Sequence, residues 1–93
     1  MSSRKGRPLT SPGLVPVDPD ELFVHRVKVV LREERLKQGI SFRELESRCG
    51  LSHGYLALAE RSGVQPTLLV IRRWANGLGI KIETVIRRAS RDA

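Results

Sequence analysis

His25, His53 and Cys49 are the side chains best suited to ligate a metal or to act as base and nucleophile, and their placement argues against both. They do not stand at a spacing that converges on one ion, and a single cysteine excludes a disulfide within the chain. Cys49 occupies an apolar position and reads as a small core residue. Catalysis would call for paired carboxylates, a nucleophile beside its base, or a glycine-rich phosphate loop, and the sequence offers none of these patterns. It therefore predicts no enzyme, no metal site and no cofactor. What it does carry is positive charge: 17 Lys and Arg against 10 Asp and Glu in 93 residues, a formal +7, with a pI near 10.8. Such an excess favours a polyanion as partner, nucleic acid above all. Part of it lies outside the middle of the chain, since Arg4, Lys5 and Arg7 lead the sequence and Arg87, Arg88 and Arg91 close it.

The groups that could meet nucleic acid gather in Ser41 to Arg61, SFRELESRCGLSHGYLALAER, which reads as two short helices joined by a tight turn. Ser41 can cap a helix, and Glu44 follows at the capping-box spacing that satisfies orphan N–H groups in both directions. Cys49-Gly50 should end that helix, because glycine enters the left-handed conformation without a Cβ clash. Ser52 then caps a second one. Leu45, Cys49, Leu51, Leu56 and Ala59 form the side expected to be buried, leaving His53, Gly54, Tyr55, Ala57, Leu58 and Arg61 for the outer face. This is the spacing of a helix-turn-helix.

Other elements must hold that pair. Residues 1 to 17 contain three of the five prolines and no helical periodicity, and read as a flexible basic arm, solvated unless a phosphate or minor groove takes it up. Asp18-Pro19-Asp20-Glu21 opens a long helix that should run to about Lys37, with Phe23, Val24, Val27, Val30 and Leu31 on its core face. Leu22, Val29 and Leu36, spaced by seven, line up on nearly the opposite side. They are either scattered surface apolar residues or an interface stripe for a second copy or another protein. After the loop Ser62 to Pro66, Thr67 caps a fourth helix whose Leu68, Ile71, Trp74, Ala75 and Leu78 should close the core, and Asn76 to Gly79 ends it. A short last helix from about Ile82 to Arg88 adds Ile82, Val85 and Ile86. The expectation is an all-α, five-helix domain over 18–88, preceded by the arm at 1–17 and followed by a short tail at 89–93. A core this small makes a homodimer or a partner a reasonable expectation. With no apolar run long enough to span a bilayer and no signal-peptide stretch, the expected setting is soluble and cytoplasmic, away from membranes.

The stretch from about Val24 to Ile86 resembles the lambda-repressor-like, Cro and CI type of helix-turn-helix domain, the XRE family. Its landmarks here are Arg35, Ile40-Ser41, Leu45, the Gly50-Leu51-Ser52 turn, Leu56, Glu60, Pro66-Thr67-Leu68, Ala75 and Leu78-Gly79-Ile80. The resemblance implies a structural ion pair between Arg35 and Glu60. It also implies that the third helix enters the major groove while the amino ends of helices 2 and 3 and the flanking loops grip phosphates. The residues placed there are Ser52, His53, Tyr55 and Arg61, with Arg43 and Gln65 at the flanks. Departures concentrate on this surface. Positions that in relatives often hold Gln, Arg, Ser or Thr are here His53, Gly54, Ala57 and Leu58; Phe42 replaces the usual glutamine, and Glu46 the usual alanine.

Two readings follow. One is a small transcriptional regulator that reads a double-stranded operator through its third helix, as a dimer. The other is an antiactivator-type modulator that captures a protein regulator on an apolar surface made by Phe42, Tyr55 and Leu58 or by the Leu22, Val29, Leu36 stripe.

Overall fold

A computed structural model of the chain describes residues 18–91, and among them every regular element is helical. Helix α1 spans Pro19–Gln38, α2 Phe42–Cys49, α3 His53–Arg61, α4 Leu68–Gly77 and α5 Ile82–Arg91. Over the described residues the protein is thus all-α with five helices. The arm at 1–17 and residues 92 and 93 lie outside the described residues.

Each of the first four helices starts where a side chain can satisfy its orphan N–H groups. Asp18 Oδ1 accepts from the amides of Asp20 at 2.8 Å and Glu21 at 3.2 Å, ahead of Pro19, which has no N–H to lose. Ser41 Oγ accepts from Glu44 N–H and Ser52 Oγ from Tyr55 N–H, both at 3.1 Å, and Thr67 Oγ1 from Val70 N–H at 3.2 Å. The turn between α2 and α3 rests on Gly50, whose φ of 80° lies in the left-handed region that L side chains rarely adopt. Helix α5 continues past the expected end at Arg88 to Arg91, because Ala89 is fully buried and gives its last turn something to pack against.

Helix α1 packs on α5 and α3, while α2 is held between α3 and α4. Trp74, Leu31, Leu45, Leu56, Val30 and Val85 fill the centre. Three expectations need correction here. Leu68 shares the stripe of Ile71, Trp74 and Ala75 but is 70% exposed, because the first turn of α4 overhangs the edge of the core. Cys49 and Leu51 are only partly buried against the core. The Leu22, Val29, Leu36 line is not one exposed stripe either: Leu22 and Val29 are half-buried, and only Leu36, at 53%, is open.

The close approach of α2 and α4 depends on Gly77. A Cβ there would lie 2.8 Å from Cys49 Cβ and 3.0 Å from Leu45 Cδ1. Leu45 can rotate away, whereas Cys49 Cβ is fixed to its backbone, so the helices would have to part. Gly77→Ala is expected to lose stability, since overpacking costs about 1–3 kcal/mol and the better helix propensity of alanine returns only about 1 kcal/mol. Urea denaturation followed by circular dichroism reads this as a lower midpoint; a higher midpoint would contradict the close packing.

Two charged residues are buried in α1. Lys28 donates from Nζ to the carbonyls of Ser62 at 2.7 Å and Val64 at 2.8 Å. Glu34 accepts from Gln38 Nε2 at 3.0 Å and from Arg88 Nη1 at 3.5 Å, while Gln38 also donates to Leu78 O at 2.6 Å. The Gln38 hydrogen bond, joined by the charges of Lys37 and Arg88, outweighs burial and holds the Glu34 carboxyl below its ordinary value. A folded-state value below the unfolded one means that the contribution is present above the unfolded value, about 4.3. It is lost as pH falls through the folded value. Accordingly, Glu34→Gln should flatten the decline of thermal stability on the acid side of about pH 4 relative to the parent protein. Parallel slopes would remove Glu34 from the acid transition.

Candidate nucleic-acid interface

At the amino end of α3 Ser52 and Gly54 are exposed and His53 is half-buried, and Arg61 stands open at the other end of the helix. Arg43 on α2 and Gln65 in the loop after α3 are also exposed, so the residues expected at DNA are accessible at least in part. Tyr55 and Ala57 are half-buried, which leaves Leu58, 49% exposed, as the open apolar residue of α3.

His53 is not free. Its backbone N–H donates to Glu46 Oε1 at 3.0 Å, and its ring Nδ1 meets the same oxygen at 2.6 Å. The ring bond first, then the backbone bond, holds the Glu46 carboxyl below its ordinary value. Glu46 is therefore ionised at neutral pH and can only accept, so Nδ1 carries the proton and Nε2 is the atom left for a ligand. The residue in the usual alanine place thus keeps a side chain that is 43% exposed while bonding to the start of α3. It caps α3 from the side and fixes the histidine ring.

Behind this helix end, Arg35 ties α1 to α3. Its Nε and Nη2 donate to Glu60 Oε2 and Oε1, each at 3.0 Å, and its Nη1 donates to Ile40 O at 3.0 Å. The Glu60 side chain is 3% exposed and that of Arg35 12%, so the pair sits in the low-dielectric interior. The Arg35 guanidinium also lies 4.0 Å from the centroid of the Phe42 ring. Phe42, expected as a free apolar anchor, is instead half-buried beneath this cation.

Lys28, which sequence reasoning did not single out, holds the carbonyls of the segment leading to Gln65. Its position was a signal: with Val24, Val27 and Leu31 it falls on the core face of α1 at helical spacing. Among the described residues, no three His, Cys, Asp or Glu side chains converge on a possible metal position. No helix among them is long and apolar enough to cross a membrane.

The order of caps, turn and core landmarks is that of a known domain type, and a family model described as helix-turn-helix, HTH_3, matches residues 31–85, more than half of the chain. The chain belongs to this helix-turn-helix family. Its members of the XRE type are DNA-binding regulatory domains rather than enzymes. No curated protein matches the chain. The family match begins at Leu31 and so leaves the first part of α1, with Lys28 and His25, outside it.

Proposed function

We propose that this protein is a transcriptional regulator that binds a double-stranded operator with α3 in the major groove, two copies on a two-fold site. The observation that carries the reading is the amino end of α3, where Ser52 and Gly54 are exposed, the His53 side chain is 42% exposed, and Glu46 engages its Nδ1 and leaves Nε2 unbonded. Glu46 and Ser52 take the His53 and Tyr55 N–H groups at this helix end, so the imidazole nitrogen that Glu46 leaves free is the group that can meet a base edge in the groove. Arg43, Arg61 and Gln65 flank α3 where backbone contacts would add affinity without reading sequence. Two-fold pairing fits the marginal core of one copy and the two-fold symmetry of operators.

Selection of duplexes from a random pool, followed by salt titration of the enriched site, tests this. Arg61→Ala is expected to weaken binding to any duplex and to reduce the salt slope by about 1, as loss of one phosphate contact does. An unchanged slope removes Arg61 from the interface. Failure to enrich any sequence would overturn the operator reading.

One observation favours a second reading, a protein-binding modulator: Leu58 is open at 49% where a groove-reading helix would place a polar side chain. Phe42 and Tyr55, its other expected anchors on this surface, are half-buried. Enrichment in the selection decides between the two.

A further inference from the structure

A cleft of about 480 Å³ opens between α1 and the carboxy end of α3. Along its α1 wall stand His25, Lys28, Arg32 and Arg35, with Arg61 opposite and Glu60 as the carboxylate. Arg35 already satisfies Glu60 through two 3.0 Å bonds. Arg32 reaches the same carboxylate only at 3.6 Å. Arg61 makes no hydrogen bond or ion pair among the described residues. Lys28 is 6% exposed, and two of its three N–H groups go to the carbonyls of Ser62 and Val64. Carbonyls accept those bonds without neutralising the charge, so a buried lysine with no carboxylate of its own lines the cleft. Buried charges are ordinarily paired. Four cations, Lys28, Arg32, Arg35 and Arg61, thus line the cleft against one carboxylate, Glu60, whose two oxygens Arg35 already holds. Phe42 and Val29 add an apolar wall.

We infer that this cleft binds a small organic phosphate, with the phosphate held by Lys28, Arg32 and Arg61 and an apolar body resting against Phe42 and Val29. A dianion suits converging cations better than a single carboxylate, and guanidinium groups match its oxygens in pairs. The volume is that of a small-ligand site. His25 supplies a reporter. Burial first, then the charges of Lys28 and Arg26, lowers its pKa. A bound dianion would offset that positive field and move the His25 titration upward. The inference is independent of operator binding, because it can be tested with no DNA present.

The test is an NMR titration of the full chain with phenyl phosphate, with inorganic phosphate alone, and with a duplex oligonucleotide. Phenyl phosphate should saturate, shift Val29, Phe42 and Arg61, raise the His25 ring titration, and bind more tightly than inorganic phosphate. Arg32→Gln should weaken it about tenfold, as expected for a lost hydrogen bond to a charged group. Arg72→Gln removes the same charge from an exposed place on α4 and should leave the affinity unchanged. Equal losses in the two variants, shifts spread over every arginine-bearing face, or a His25 titration that does not move would each overturn the proposal. So would a cleft that responds to duplex DNA and not to phenyl phosphate, because the phosphate it grips would then be that of the DNA backbone.

Discussion

Arg35→Ala is expected to lower the stability of this protein by about 3–5 kcal/mol, the cost of leaving a buried charge without its partner. That is a large part of what a domain with a single small core possesses. The structure also predicts an order. Without Arg35, the Glu60 carboxylate stays 3% exposed with only Arg32, at 3.6 Å, to face it. Without Glu60, Arg35 keeps its bond to Ile40 O and its contact with Phe42, and it reaches water more easily at 12% exposure. Glu60→Ala should therefore cost less than Arg35→Ala. Both losses should change little with added salt, since the pair is shielded from counterions. If the single variants prove too unstable to measure, the double replacement of Arg35 by Met and Glu60 by Leu keeps the question open to test. It removes both charges and should recover most of the loss, because apolar pairs of similar volume often match a buried ion pair. Urea denaturation of the parent and the three variants measures these losses. A loss below about 1 kcal/mol for Arg35→Ala would mean that the pair behaves as a surface bridge.

The helices were legible in the sequence because their ends are written in local chemistry. Asp18, Ser41, Ser52 and Thr67 each accept a backbone N–H one turn ahead, and Gly39, Gly50 and Gly79 take the positive φ that follows or replaces a helix end. Helical spacing also identified the central apolar residues from Val27 to Val85. It failed at Leu68, which has the right period but stands beyond the edge of its neighbours. Period gives the face of a helix, not where along its axis the neighbouring helices stop. The polar interior was harder to foresee. Lys28, Glu34 and Gln38 find partners 34 to 54 positions away, and no local pattern announces a carbonyl that distant in sequence. At the candidate interface the sequence marked His53 and Glu46 as unusual, but not that each accounts for the other. That required α2 and α3 to be set at their observed distance.

The pairing of Glu46 with His53 leads to the second large effect, in which affinity and specificity should move in opposite directions. Glu46 places a carboxylate on the backbone N–H of His53, at the end of α3 where a phosphate would otherwise bind. Its negative charge also opposes a polyanion. Glu46→Ala should therefore strengthen binding to arbitrary duplexes. The same substitution frees the His53 ring, which is now held by the 2.6 Å bond at Nδ1. An oriented contact to a base edge is what separates one sequence from another, so the ratio of operator to arbitrary-duplex affinity should fall by about tenfold. Glu46→Gln separates the two causes. It removes the charge but keeps an oxygen that can accept from both N–H groups, so arbitrary binding should rise while much of the ratio survives. Fluorescence anisotropy with the selected operator and a scrambled duplex, at one fixed salt concentration, measures both quantities for all three proteins. Should Glu46→Ala leave the ratio intact, His53 is not a reading residue, and sequence preference must come from elsewhere on α3 or from the shape of the DNA. Should both variants weaken arbitrary binding, the Glu46 charge does not face the duplex, and the amino end of α3 is not where the phosphate sits.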